Sequence, residues 1–497
     1  MTHAIEKKIK NIFAYLTPSV LSSVLPLITF PIMTRVLTPA DYGIVALLST
    51  FPVLIVNLVT CNVHVGAERY YFEYRKNIND LRNLINSTIA FLLLVFVLSA
   101  PVIFLLSNFL SKIVVGETQY GWPLFISYST ACIGIFITFY LMIYRNMEKG
   151  KQFSVFTISR LLVHTALSLI FVAGFRTGYI GLIYAAFFSA LTVFCVLFWR
   201  FQKNFPFSFN MNMLIDNLKY GIPLLPTHFT SYIYAFFDKY MLRLVVSLSS
   251  VGIYSIAQTL SKKLFLFMTA VQSTFYPTFM KDIFDRGKEA ARSIGRLFTV
   301  FTYISLFAIL AMILFGEEFI HLLAPSSYYN SINVFLVLLC ALATQTFGKI
   351  VGVQLAYVKK AYLVFPVSVV GVVVNVGLNL LLIPMWGAMG AGVATAVTTV
   401  SMNAIIVYIS QGFYKIIYEK RMLFALYLNV FLSAALLIYF RIYGVPVMLK
   451  YGYKFLSIFA FFVCGVRANI ITIRNMKIAL NILTFRKQAH IKAPVQA

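Results

Sequence analysis

The feature that most constrains this chain is a series of fourteen apolar segments, each near the length of about 20 residues that crosses a bilayer as a helix. They lie near residues 12–33, 42–64, 86–107, 122–143, 155–175, 179–199, 219–243, 251–274, 297–315, 331–357, 362–383, 388–411, 422–440 and 451–469. Inside hydrocarbon every backbone N–H and C=O must find a partner within the protein, so segments of this length fold as helices. The expected fold class is therefore all-α integral membrane, with about fourteen transmembrane helices. Composition agrees: 60% of the residues are hydrophobic and 11% charged, with mean hydropathy +0.86, which excludes a soluble globular domain.

The net charge of +26 raises the question of a nucleic-acid partner, and its placement answers against one. With the N-terminus inside, the inner connections and both termini hold 29 of the 41 Lys and Arg, and the outer loops hold 8. This bias orients the chain with both ends cytoplasmic. An anionic inner leaflet is then sufficient partner for the basic face. The five cysteines all fall in expected spans without disulfide or metal-ligand spacing, so they read as small core residues. The first span, which lacks a small-residue cleavage site, reads as retained.

The chain repeats itself weakly. TRVLTPADYGI (34–44) resembles LRLVVSLSSVGIY (242–254), which pairs Arg35 with Arg243 and Gly43 with Gly252. Those pairs lie at offsets of 208 and 209, and Gly178 and Gly181 pair with Gly387 and Gly390, again at 209. Each unit holds six spans, an even number, so both run in one direction and imply two parallel six-helix bundles about a pseudo-two-fold along the membrane normal. The expected domains are a first bundle at 1–200, a cytoplasmic linker at 201–218, a second bundle at 219–411, two additional helices at 412–469, and a basic cytoplasmic tail at 470–497. Prolines in the first span of each half (Pro18, Pro26 and Pro31; Pro223 and Pro226) free backbone carbonyls and kink the helices, for gating or for packing. The loop that joins the halves, with Pro206, Asn204, Asn210 and Asn212, reads as a hinge or a linker.

Two lysines, Lys262 and Lys263, sit in the middle of the eighth span. A lysine at the bilayer centre costs about 2.5–3.5 kcal/mol on insertion scales. Ser255, Gln258, Thr259, Lys262, Thr269 and Ser273 recur at helical spacing and form one polar stripe. Such a stripe either faces a water-filled cavity that takes an anionic passenger, or packs and snorkels within the bundle. The second span carries the uncharged counterpart, with Thr50, Asn57, Thr60, Cys61 and His64, and with Val53 and Leu54 standing where the lysines stand. Lys349, beside Thr344, Gln345 and Thr346, is a second candidate cavity cation. Lys262, Lys263, Lys349, Gln258 and Asn57 are the candidate substrate-binding residues. Arg35, Asp238, Lys239 and Arg243 are the candidate gate; the plainer reading of Asp238 and Lys239 is an ion pair at the outer interface. Arg160 begins the fifth span, where snorkelling to the inner interface explains it as well as a functional role does. No catalytic constellation, Walker loop or metal-ligand motif stands out, so no cofactor, no metal and no enzymatic activity are expected. In-span carboxylates are nearly absent, which speaks against a carboxylate-driven antiporter.

The opening KKIKNIFAYL, the turn RVLTPADYGI and the segment NVGLNLLLIPMWGAMGAGVAT (375–395), together with the two parallel repeats, resemble the polysaccharide-transporter branch of the multidrug/oligosaccharidyl-lipid/polysaccharide exporter superfamily. The nearest type within it is the Wzx O-antigen or capsule flippase. The resemblance implies a multi-pass protein of the bacterial inner membrane. It implies the flipping of undecaprenyl-diphosphate-linked oligosaccharide units by alternating access through a cationic central cavity. The expected partners are that lipid-linked glycan and membrane lipids, with a polysaccharide polymerase or chain-length regulator as a further one. The rivals are a drug or cation antiporter of the same superfamily and a membrane glycan polymerase, which would carry a large outer loop.

Overall fold

The computed structural model describes residues 2–471, with side-chain surroundings from Thr17 onward except at 227–228, 231, 267, 270–274, 277, 349 and 361. Seventeen α-helices follow in chain order: α1 (Thr2–Val36), α2 (Pro39–Val59), α3 (Val63–Tyr74), α4 (Ile78–Val114), α5 (Gly121–Asn146), α6 (Gly150–Ser168), α7 (Tyr179–Asn204), α8 (Met211–Gly221), α9 (Leu225–Val245), α10 (Leu248–Arg286), α11 (Ala291–Leu314), α12 (Gly316–Leu323), α13 (Ser331–Tyr357), α14 (Val364–Trp386), α15 (Ala388–Phe413), α16 (Lys420–Ile442) and α17 (Val447–Arg467). No strand occurs among the described residues. Among the described residues twelve helices are long and apolar enough to cross a membrane, and the chain is a multi-pass membrane protein. The two expected spans outside that set are α9 and α10. They are helices of 21 and 39 residues, but Asp238, Lys239 and Arg243 in one and Gln258, Lys262 and Lys263 in the other lower their apolar character. The basic tail from 472 onward lies outside the described residues.

Two compact units form. One comprises Met1–Lys263, Glu317–Leu338 and Tyr362–Met402; the other comprises Leu264–Gly316, Leu339–Ala361 and Asn403–Ala497. The first has a core around Leu84, Ile137, Tyr140 and Leu197, where the Tyr140 and Phe201 rings lie 4.5 Å apart. The second has a core around Ile283, Ile294, Phe298 and Phe301. Within it Gln354 donates to the Tyr414 carbonyl at 2.7 Å and accepts from Ser410 at 3.0 Å.

Local chemistry explains the turn that opens α2. Thr38 is the N-cap and accepts from the Asp41 N–H at 3.2 Å, while Asp41 accepts from the Thr38 N–H at 2.8 Å. Pro39, at the first helical position, has no N–H to leave unpaired. The matching turn before α10 uses serine instead: the Ser250 N–H donates to Ser247 Oγ at 3.1 Å. The paired glycines then meet each other. A Cβ on Gly43 would stand 2.0 Å from the Leu248 carbonyl oxygen, and one on Gly252 would stand 1.8 Å from that of Pro39. The contact is reciprocal, because Pro39 and Leu248 are themselves 209 positions apart. Gly178 and Gly387 agree as well, with φ +66° and ψ −148° in one and φ +54° and ψ −130° in the other, a conformation that needs glycine.

Two readings are corrected. The second span is not continuous to residue 64: α2 ends at Val59, Cys61 and Asn62 take left-handed conformations (φ 50° and 51°), and α3 starts at Val63. The stripe on α2 therefore keeps Thr50 and Asn57 and loses His64. The stretch read as a hinge is anchored. Asn210 caps α8 and its N–H donates to Ser87 at 2.8 Å. Asn217 donates to Thr88 at 3.2 Å, and Asn86 donates to the Pro206 carbonyl at 2.9 Å.

Candidate functional site

The polar residues of α9, α10, α14 and α15 gather around Asp238, inside the first unit. Asp238 is 1% exposed. Its carboxylate accepts from Tyr254 Oη of α10, from Thr395 Oγ1 of α15 at 3.0 Å, and from Asn379 Nδ2 of α14 at 2.5 Å. A buried carboxylate is tolerable only with such donors, and bonds to a charged acceptor are the stronger kind. The placements follow from helical period. Asn375 and Asn379, one turn apart on an otherwise apolar helix, face the same way, and Asn379 Nδ2 also donates to Asn375 Oδ1 at 3.0 Å. Tyr234, one turn before Asp238, bonds Thr399, one turn after Thr395, at 3.0 Å. Among the described residues no three His, Cys, Asp or Glu side chains gather. The hard oxygen donors brought to one place are those around Asp238.

From this buried charge a ladder runs down α10 at a spacing of four. Gln258 Nε2 lies 3.5 Å from Tyr254 Oη, and Lys262 Nζ donates to Gln258 Oε1 at 3.3 Å. The stripe seen in the sequence is thus a graded one, from buried Ser255 through half-buried Gln258 to exposed Thr259 and Lys262. Lys262 lies within electrostatic reach of both Asp238 and Lys239.

Lys263 does something different. Pro26 of α1 has no N–H, so the Ser22 carbonyl, four residues earlier, lacks its helical donor. Lys263 Nζ donates to that carbonyl at 2.8 Å.

Asp238 and Lys239 do not form the outer-interface pair. Adjacent helical residues point apart, and Lys239, 8% exposed, donates to Thr50 Oγ1 of α2 at 3.3 Å. Arg243 Nη2 donates to the Lys112 carbonyl at 3.2 Å, at the C-terminal end of α4 where carbonyls lack helical partners. Arg35 is exposed on the last turn of α1, and Asn57 is half-buried on α2. Lys349 lies on α13, and its side chain is outside the described residues. The partners Tyr254, Asn375, Asn379 and Thr395 were missed by sequence reasoning. The signal was present in the two asparagines one turn apart within NVGLN.

Arg160 is also relocated. Helix α6 begins at Gly150, so Arg160 stands ten residues into the span, about 15 Å along it at 1.5 Å per residue. There it lines a cavity of about 360 Å³ with Ser49, Ser127, Thr130 and Thr138.

The helix order and this arrangement define a class. The chain superposes on the lipid II flippase MurJ in an inward closed conformation, with TM-score 0.69, over 94% of this chain and 99% of that one, at 11% identity. It superposes on an inward-facing multidrug resistance MATE family transporter of the MOP superfamily with TM-score 0.61, over 80% and 97%, at 13% identity. At these identities the likeness is one of fold. The sequence narrows this further: the chain belongs to the polysaccharide biosynthesis protein family, whose model matches residues 9–282. It is 28% identical over 168 residues to the "Probable flippase AglR" of Haloferax volcanii. That match spans 33% of this chain and about a third (35%) of the relative's length.

Proposed function

We propose that this chain flips undecaprenyl-diphosphate-linked oligosaccharide repeat units across the bacterial inner membrane by alternating access, for O-antigen, capsule or exopolysaccharide assembly. The observation that carries the reading is Lys262: an exposed ammonium at mid-helix on α10, held by Gln258 and backed by the ladder to Asp238. A diphosphate cannot cross hydrocarbon alone, and such a cation meets it with charge-assisted contacts. In this reading Lys262, Lys263, Lys349, Gln258 and Asn57 hold the head group. Residues 1–200 and 219–411 are the two moving halves, and both termini are cytoplasmic. The gate is Arg35, Asp238, Lys239 and Arg243, and the bonds that opening must break are Lys239–Thr50 and Arg243–Lys112 carbonyl. The name of AglR, a flippase, supports the activity.

A second reading is favoured by one observation. Asp238 is a buried carboxylate inside a membrane helix, which removes the objection that in-span acids are lacking and admits a cation-coupled small-molecule antiporter.

The deciding experiment removes the gene from its host and measures which face of the membrane holds the lipid-linked glycan, by its oxidation with impermeant periodate. The expected result is cytoplasmic accumulation, reversed by wild type and not by Lys262→Ala. An unchanged distribution in the deletion strain would refute flipping and favour the antiporter.

A further inference from the structure

The cavity beside Arg160 is built from α2, α5, α6 and α7, within the first unit, and none of its lining residues is acidic. Arg160 has no hydrogen bond or ion pair among the described residues, and its titratable neighbour is His164, one turn on, which brings no negative charge. A guanidinium held this deep in a span without a counter-ion is costly, and the cavity it lines leaves room for an anionic group to meet it.

The repeat relation gives the cavity its meaning. Ser49 and Val53 on its α2 wall are the counterparts, at the offset of 209, of Gln258 and Lys262. The first half lacks the lysine, but Arg160 on α6 supplies a cation beside the same stripe; the counterpart of Arg160 is Val369. The two halves therefore carry their cation on different helices of the repeat.

The walls distinguish between anions. Thr130 donates to the Ile126 carbonyl at 2.8 Å, Thr138 to the Gly134 carbonyl at 2.8 Å, and Ser49 to the Ala46 carbonyl at 3.3 Å. Their protons are committed to their own helices, so toward the cavity they present acceptor lone pairs. A phosphodiester, which only accepts, finds the guanidinium and the Ser127 hydroxyl, but faces three oxygens whose protons are already taken. An acidic sugar fits both parts: its planar carboxylate matches the guanidinium fork, and its hydroxyls donate to the threonine and serine oxygens.

We infer that this cavity is a subsite for a carboxylated sugar of the passenger glycan, with Arg160 as its carboxylate-binding residue. This rests on the flippase reading.

The test uses the full chain in detergent at low ionic strength, with D-glucuronate, D-glucose and inorganic phosphate as probes, read by saturation-transfer NMR and thermal unfolding. Wild type should bind glucuronate at least tenfold more tightly than glucose or phosphate. Arg160→Gln should lose that preference. Gly134→Leu should block binding while keeping the charge, because a Cβ at Gly134 meets nothing within 4 Å. Equal binding of glucuronate and glucose by wild type would overturn the inference. Tighter binding of phosphate would overturn it too, and assign the cation to a lipid phosphate. Glycan flipping without a glucuronate preference would sink this subsite alone. A glucuronate preference without flipping would leave the subsite and sink the flippase.

Discussion

Replacing Pro26 by alanine should make Lys263 dispensable for stability. The Ser22 carbonyl has no helical donor because residue 26 is proline, and Lys263 Nζ, 2.8 Å away, takes that place. A hydrogen bond to a charged group contributes about 1.5–3 kcal/mol in water-soluble proteins. In membrane bundles measured bonds average about 0.6 and reach about 1.7 kcal/mol. Lys263→Ala should therefore destabilise by about 1–2 kcal/mol. In the Pro26→Ala background the helix supplies its own N–H, and the same change should cost only a few tenths, a coupling of about 1 kcal/mol. The cycle is measured by unfolding the four proteins in mixed micelles with rising dodecyl sulfate. Additivity within about 0.3 kcal/mol would refute the reasoning. Transport then separates packing from binding. If Lys263 only completes α1, the doubly substituted protein transports normally; if it also holds the diphosphate, stability returns and transport does not.

Gly252→Ala should disrupt the α2–α10 crossing, because its Cβ would stand 1.8 Å from the Pro39 carbonyl oxygen; the expected loss is about 3 kcal/mol or more. Gly377→Ala, where nothing lies within 4 Å, should stay within about 1 kcal/mol of wild type in the same micelle unfolding. Asp238→Asn should cost about 1–3 kcal/mol, because an acceptor remains while the charge goes. Asp238→Ala should cost more, since it strands the Asn379 amide and the Tyr254 and Thr395 hydroxyls; equal losses in the two variants would count against the network.

The spans were legible because hydrocarbon leaves a chain few options, and length with hydropathy reports them. The repeat was legible because glycines at close approaches and at φ near +60° tolerate no substitute, so Gly43, Gly252, Gly178 and Gly387 stand out at a constant offset. The break at Cys61–Asn62 was not legible: it carries neither proline nor glycine, and its left-handed residues are chosen by tertiary packing. The roles of Lys262 and Lys263 were hidden for a related reason. Adjacent in sequence, they point a helical step apart, one to a glutamine on its own helix and one to a carbonyl that a proline 237 residues earlier had freed. Arg160 was misplaced because hydropathy set the start of its span five residues too late.

The reciprocal contact of Gly43 with Leu248 and of Gly252 with Pro39 has the form of an isologous interface, in which one patch meets its own copy. In a true homodimer any substitution there appears on both sides at once. Here duplication has uncoupled the two sides genetically while steric fit still binds them. Tolerated change at the crossing should come in compensating pairs. The same self-recognition gives a chain cut between the halves its address for reassembly: a fragment ending before Met211 carries the Gly43 face, and the remainder carries its complement.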